Sequence, residues 1–503
     1  MADLITYVGR PFQGRRRGGP KRAALLLVLL ASASGCIRRA PYAAPAAETA
    51  PAFKENENWK VATPADAALK GQWWTAFGDP ELNALEEQIA VSNQTLKAAE
   101  AQLQFARASL RGARANFGPQ ISLGPSIAAA QQSGTRAISN FHDTYGDFLL
   151  PVDVSYEADV WGRIRGTVNV ASATLQAAGA DLESASLSLH ADLAVDYFML
   201  RGLDGERQLL DNTVAAYQRA LELTTNRYRG GITSAADVAQ AQTQLETTRA
   251  QAVDVGVARA SLEHAIAVLT GHPAAAFSLT VAPLGAAPPA IPAGMPSALL
   301  ERRPDIAGAE RRVAVADAQV GLATTAFYPI ITLSGTAGFE SGSFGSWLAA
   351  ASNFWSVAPA ALINVFDAGR RRAVSDQARA EYAQMTAVYR ETVLSAFREV
   401  EDQLAALRIL EEEAGIQDSA VAAAERSLEL ATNRYRGGIA TYLEVTTAQS
   451  AALANQRTAV GLLVQRMNAT VLLVKALGGG WDRAQLTSLP SQASLDRPAP
   501  APR

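Results

Sequence analysis

Fourteen residues beginning at Arg219, RALELTTNRYRGGI, return almost unchanged from Arg426 as RSLELATNRYRGGI. The identical core TNRYRGGI fills 225–232 and again 432–439, an offset of 207. A second pair, FGPQISLG from Phe117 and FYPIITLSG from Phe327, recurs at an offset of 210. Repetition of whole supersecondary units at a nearly constant spacing constrains a fold more than any single motif, because both halves must be built alike. Each half reads as long helix, strand, strand, long helix.

The helices set the scale. Residues 166–229 and 370–436 lack proline and read as helices of over sixty residues, about 95–100 Å long at 1.5 Å per residue. In the first, Leu175, Leu182 and Leu189 repeat by sevens and Ala178 and Ala185 follow three residues after a leucine, a coiled-coil spacing that permits close approach. Each RYRGGI falls where such a helix ends and another helical pattern begins. A glycine there can take the left-handed conformation that reverses the chain, and arginine suits the helix C-terminus. The turn accounts for Gly230, Gly231, Gly437 and Gly438. It does not account for a Tyr-Arg pair in both copies, Tyr228–Arg229 and Tyr435–Arg436, and that excess points to function.

The strands alternate with period two. Ile121, Leu123 and Ile127 sit between Ser122, Gly124 and Ser126; Val152, Val154 and Tyr156 between Asp153, Ser155 and Glu157; Ile331 and Leu333 between Thr332, Ser334 and Thr336. Strands are expected at about 118–130, 148–160, 328–340 and 354–366, the last less regular. One apolar and one polar face suits a membrane barrel with a wet lumen, and equally the half-buried face of a soluble sandwich. Gly/Ser/Asn-rich loops at 131–147 and 341–353 and a secretory N-terminus favour the barrel. Four strands cannot close a barrel, and an open edge in lipid is not viable, so several chains would have to share one.

That N-terminus has Arg15, Arg16, Arg17, Lys21 and Arg22, then AALLLVLLA at 23–31, too short to span a bilayer, then Ala33, Ser34, Gly35 and Cys36. The order resembles a bacterial lipoprotein signal in which Cys36 is lipidated and becomes the mature N-terminus; the alternative is an ordinary secretory signal with an incidental cysteine. Cys36 is the only cysteine, which excludes an intrachain disulfide and a cysteine-rich metal site. The four histidines (His142, His190, His264, His272) read as structural or surface residues, with no metal site. No HExxH, GxSxG or phosphate-loop pattern supports an enzyme. A net charge of −3 favours no nucleic-acid partner.

Together WWTAFGDPELNAL near Trp73, DVWGRIRG at 159–166, IPAGMPSALLERRPDI at 291–306, FYPIITLSG, INVFDAGRRRA at 363–373 and VKALGGGW at 474–481 are specific in order and spacing. They resemble the TolC family of outer-membrane efflux proteins, in its OprM-like (NodT-type) lipoprotein branch serving resistance-nodulation-division pumps. The resemblance implies an α+β fold with internal duplication. It implies a homotrimeric outer-membrane β-barrel, four strands per chain and twelve in total, continued by a long periplasmic α-helical coiled-coil barrel. The expected segments are a signal peptide at 1–35, a lipidated tether at 36–70, a first repeat at 71–272 with its tip near 230, a Pro/Ala-rich linker at 273–300, a second repeat at 301–480 with its tip near 437, and a tail at 481–503. The implied function is a gated passive duct of a Gram-negative outer membrane, reaching into the periplasm. Drugs and other small toxic compounds would arrive from an inner-membrane pump through a periplasmic adaptor protein. Outer-membrane lipid is the remaining partner, and no cofactor is implied beyond the covalent lipid. A type I secretion duct for polypeptides shares the architecture and is the alternative; a purely structural coiled coil is disfavoured by the alternating strands.

The resemblance also places a periplasmic gate at the repeated stretch. Tyr435 and Arg436 would face Gln240 and Asp237, and a partly solvated Arg–Asp pair is worth about 1 kcal/mol, enough to latch and to release. Asp237 is also explained simply as an early-helix residue favoured by the dipole. Leu443 matches an apolar constriction, and Thr447 stands where close relatives carry aspartate, which makes the inner constriction neutral. The first copy, Tyr228 and Arg229, would keep its turn and receive the adaptor. Mass spectrometry of the mature N-terminus is expected to find acylated Cys36; an unmodified terminus beginning elsewhere would defeat the lipoprotein assignment.

Overall fold

The computed structural model describes residues 42–47, 52–56, 71–131, 144–285, 287–289, 291 and 302–480. Cys36, the expected signal peptide and tail, most of the 36–70 tether and part of the 273–300 linker lie outside the described residues. The chain divides into two compact units, one holding Phe117–Arg165 and Thr324–Asp367, the other Ala44–Asn116, Gly166–Ala323 and the chain from Ala368.

The first unit is an antiparallel sheet of β1 (Gln120–Leu123), β2 (Ser126–Gln131), β3 (Thr144–Glu157), β4 (Ile330–Ser341) and β5 (Asn353–Leu362). Both β1 and β2 pair with β3, β3 pairs with β4, and β4 with β5. The strand expected at 118–130 is therefore broken at Gly124–Pro125, where Pro125 has no N–H to give the ladder. Leu123 faces Val152 and Ser126 faces Leu149, so pairing resumes in the same register. β3 begins at Thr144 and ends at Glu157, earlier than the expected 148–160, and β5 stops at Leu362 rather than 366. Past β5 the chain bends through Ala368 (φ 52°) and Gly369 (φ 91°) into the next helix.

Residues directly opposite in a ladder share a face. Ile121, Leu123, Phe148, Val152, Val154, Leu333, Phe339, Trp355 and Val357 therefore lie on one side. Ser122, Asp153, Ser155, Thr332, Ser334, Thr336 and Ser356 lie on the other, where Thr336 Oγ1 donates to Asp153 Oδ1 at 2.7 Å. The first side is uncharged and mostly apolar; the second carries the charged and most hydroxyl side chains, with Leu149, Pro151 and Phe354 among them. Its outer edges, on β1/β2 and on β5, pair with no other strand among the described residues.

The second unit is helical. It is built from α1 (Pro80–Ser92), α2 (Gln94–Ala115), α3 (Arg163–Arg229), α4 (Ala235–Leu269), α5 (Pro304–Thr325), α6 (Arg370–Arg436) and α7 (Tyr442–Ala476), the first turn of α3 excepted. Lengths match between the halves: α3 and α6 have 67 residues each, α4 and α7 have 35, α2 and α5 have 22. At 1.5 Å per residue the longest pair run about 100 Å. The heptad seam of α3 packs on α2, where Leu175 and Val168 join Leu103, Ala106 and Leu110, with Ala178 and Leu182 against them. By length and composition α7 is apolar enough to cross a membrane. Its Tyr442, Val445, Leu453, Leu462 and Leu473 are nevertheless buried within the helical unit.

Two joints organise this unit. The side chain of Asn93 caps α2 by accepting from Leu96 N–H and donates to the Leu269 carbonyl at the end of α4, at 2.8 Å. Gly271 (φ 76°) lies so close to Ser92 that a Cβ would collide with its backbone. In the other half Gly478 (φ 92°) sits as tightly against Arg302, and Arg303 Nη1 donates to the Ala476 carbonyl at 2.9 Å. Thus α4 abuts α2 and α7 abuts α5, each pair forming a jointed counterpart to one unbroken 67-residue helix.

Where α1 meets α3, Glu86 is fully buried and 2.6 Å from His190 Nδ1, and Trp74 stacks on the imidazole at 4.4 Å. Burial pushes the Glu86 carboxyl up to about 9 and His190 down to about 4. Both are therefore neutral at pH 7, and the Glu86 carboxyl donates to the ring nitrogen. From pH 4.5 to 6.5 the two linkages oppose each other, because rising pH favours unfolded Glu86 but native His190. Above 6.5 only the glutamate contributes, so stability falls with pH up to 9 by at most ~1.4 kcal/mol per unit. Thermal unfolding monitored across that range is expected to lose this decline in Glu86→Gln; an unchanged slope would place the charge elsewhere.

Candidate functional site

The repeated stretch closes two helical hairpins by the same backbone device. At the end of α3, Ile232 N–H donates to the Arg227 carbonyl and Gly231 N–H to that of Tyr228, both at 2.9 Å. At the end of α6, Ile439 N–H donates to Arg434 and Gly438 N–H to Tyr435, both at 3.0 Å. This pair of bonds is the Schellman motif, whose reversing residue must be left-handed. Gly231 (φ 71°) and Gly438 (φ 74°) take that position. Gly437 is helical (φ −74°) and Gly230 is not left-handed, so each double glycine contains one obligatory member.

Identical letters then meet different surroundings. Tyr228 is 48% exposed, whereas Tyr435 is 4% exposed in a core with Ala241, Tyr442 and Val445. Tyr435 and Tyr442 meet edge to face at 5.3 Å, and burial beside Tyr435 and Tyr217 pushes the Tyr442 hydroxyl up to about 12, keeping it neutral. Arg227, from the first copy, lies over the Tyr435 ring at 4.9 Å and donates through Nη1 to the Arg436 carbonyl at 3.0 Å. Its counterpart Arg434 pairs instead with Glu444 at 3.3 Å. The sequence gives no role to Arg227 because the partner ring lies over two hundred residues away; only its place inside the repeat was visible.

The expected gate residues divide in the same way. Asp237 closes a capping box at the start of α4, accepting from Ser234 N–H at 3.3 Å and from the Thr233 hydroxyl. Gln240 Nε2 donates to Thr446 Oγ1 at 3.0 Å, and Gln244 below it to Ser450 Oγ at 3.1 Å, so α4 and α7 are tied side by side. Within one chain Asp237 is thus engaged by its own cap and Gln240 by Thr446. The Tyr435 hydroxyl is buried with no partner among the described residues. Arg229 and Arg436 are exposed. Leu443 is 59% exposed one residue inside α7, and Thr447 Oγ1 turns back to the Leu443 carbonyl at 2.9 Å. With Ile232 and Ile439 at 67% and 75% exposure, the hairpin ends present apolar side chains to their surroundings.

A sheet apolar on one side and polar on the other, in one chain with helices of about 100 Å ending in hairpins, fits a channel protein of the outer-membrane type. The outer membrane efflux protein family matches residues 85–272 and 295–479, and the chain belongs to that family. It is 32% identical over 426 residues to the pyoverdine export outer membrane protein OpmQ of Pseudomonas aeruginosa, covering 83% of this chain and 89% of that one. It is 31% identical over 472 residues to the antibiotic efflux pump outer membrane protein ArpC of Pseudomonas putida, covering 92% and 96%. The solved outer-membrane channel OprN superposes with a TM-score of 0.82 at 28% identity, covering 89% of this chain and 100% of that one. The family consists of outer-membrane efflux channels, which are not enzymes; this chain is a Gram-negative outer-membrane protein extending into the periplasm.

Left-handed backbone costs a residue with a Cβ about 1–2 kcal/mol. Gly231→Ala and Gly438→Ala are each expected to lower the unfolding temperature of the full chain. Gly230→Ala and Gly437→Ala, where the nearest atoms to a new Cβ lie at 3.6 and 3.5 Å, are expected to leave it nearly unchanged. Equal effects at all four positions would contradict the assignment.

Proposed function

We propose that three copies of this chain close one twelve-stranded barrel and form a gated passive duct for small organic molecules. The observation that carries this is the one-sided sheet with two unpaired edges. Those edges expose backbone groups that lipid cannot satisfy, and in a ring of copies a neighbour on each side supplies the partner for one edge. Equal helix lengths in the two halves fit an internal duplication that sets paired helices around a common axis. Substrate is handed over by an inner-membrane resistance-nodulation-division pump and a periplasmic adaptor that docks on the hairpin ends. Relatives named for pyoverdine and antibiotic export favour small molecules over polypeptides. A lipid on Cys36 adds a second anchor to that of the barrel.

The gate follows from the chemistry at the tip. Arg436 is exposed beside the axis-facing hairpin, and Asp237 retains a carboxylate at the start of α4, so the latch joins Arg436 of one copy to Asp237 of the next. Arg227 acts inside each copy, holding the Tyr435 ring and the carbonyl that precedes the turn. Thr447 leaves the inner constriction without a ring of charge, which weakens any preference for cations there.

Single-channel recording of the full chain in planar bilayers tests the duct and the latch together. Arg436→Asp and Asp237→Arg are each expected to raise conductance, and the double reversal to restore part of the closure. Arg227→Ala is expected to open the channel more than Arg229→Ala does. Wild-type conductance in every variant would remove the latch while leaving the duct; absence of any channel in bilayers would remove the duct itself.

A further inference from the structure

The connection between β4 and β5, GSFGSWLAAAS at 342–352, contains no charged residue. It is held by its own hydroxyls: Ser346 Oγ lies 2.7 Å from Ser341 Oγ and 2.6 Å from Ser343 Oγ, and Ser352 Oγ donates to the Ser346 carbonyl at 2.7 Å. Its rings are placed by a strand residue. Phe344 and Trp347 lie 5.9 and 5.7 Å from Phe148 on β3. Phe148 is opposite Ile127 on one neighbour and shares its face with Val152 and Val154. The loop therefore folds toward the apolar side of the sheet, away from the side carrying Asp153 and Thr336.

The end of the sheet is also fixed. Glu157 closes β3 at the opposite end, where Asp159 accepts from Ile164 and Arg165 N–H groups and starts α3. Under the proposed function the helical unit is the periplasmic part, so the β4–β5 loop, at the end of the sheet away from the chain's entry into α3, is taken as the cell-surface end. There Phe344 is 71% and Leu348 65% exposed, in continuity with Trp355 at 77% and Val357 at 63% on the apolar face.

We propose that this loop is a lipid-seated collar: Phe344, Trp347 and Leu348 rest in the outer leaflet, at the boundary of acyl chains and headgroups. The proposal rests on the reading that the apolar sheet face meets lipid. Aromatic rings favour that boundary, and a loop without charge enters it without desolvating an ion. With its hydroxyls bonded to one another, the loop presents mainly apolar surface to the bilayer. Folded to the outside, it leaves the polar side of the sheet uncovered at the mouth of the duct.

The test uses the full chain in phosphatidylcholine vesicles containing lipid with a nitroxide near the headgroup. A bimane label is attached to Leu348→Cys, Val357→Cys or Ser356→Cys, with labelling of the parent chain at Cys36 as the blank. The Leu348 label is expected to lose emission to the nitroxide as the Val357 label does, and to resist aqueous iodide; the Ser356 label is expected to do the reverse. Quenching of Leu348 by iodide while Val357 responds to the nitroxide would overturn the collar and leave the sheet assignment standing. Failure of both labels to respond to the nitroxide would overturn both. In a second arm, Phe344→Ser combined with Trp347→Ser is expected to leave single-channel conductance unchanged. A rise would mean that the loop obstructs the lumen, and the collar would be wrong.

Discussion

Backbone N–H and C=O groups along the outer edges of β1/β2 and β5 must find partners in a medium that offers none. The rest of the structure can be understood as arranged around that requirement. The strands are uncharged on their apolar side, and polar side chains on the other, such as Asp153 and Thr336, bond to one another across the ladder. Pro125 interrupts an edge without shifting register, and Pro359 sits on the opposite edge strand; Pro151, in the central β3, lies beside the break, where Gly124 N–H donates to its carbonyl at 3.4 Å. Under the proposed trimer, such a sheet gains a closed ladder by meeting copies of itself, which gives the long helices a pore to continue.

The hairpin ends show how identical segments acquire different work. Both copies of RYRGGI satisfy the last carbonyls of a 67-residue helix in the same way. Beyond the turn they diverge, because Tyr435 is enclosed by Tyr442 and Arg227 while Tyr228 stays exposed. One hairpin thereby holds the other. Arg227 binds a ring and a main-chain carbonyl in the second copy, so the tip is a cross-braced structure within each chain before any neighbour is added.

Much of this was legible in the chain itself. Proline-free runs gave the long helices, period-two alternation gave the faces of the sheet, and the double glycines gave the reversals. What sequence could not supply were long-range pairings and conformational distinctions within a motif. Gly230 and Gly231 are the same letter, and only the hydrogen bonds of Tyr228 and Arg227 separate the obligatory one from the replaceable one. Asp237 was visible as either a gate partner or an early-helix residue, and within one chain it closes a capping box. Glu86 and His190, 104 residues apart, meet only after folding; nothing local marks a glutamate as buried and neutral. Nothing local marks Gly271, and Gly478 enters only within the VKALGGGW motif, yet both are needed because another segment's backbone lies against them.

Those two glycines mark a mechanical difference between neighbouring helices. α3 and α6 are continuous, so a rotation imposed at one end is carried by every hydrogen bond along the rod. Where α4 meets α2 and α7 meets α5, no peptide bond crosses the junction, and the link is a side-chain contact such as Asn93 to the Leu269 carbonyl. A butt joint of this kind bears thrust along its axis but transmits little torque. Each half of the chain thus pairs a stiff shaft with a shaft that has a swivel. Thrust along the axis passes through both shafts, while rotation about it is resisted mainly by the unbroken one.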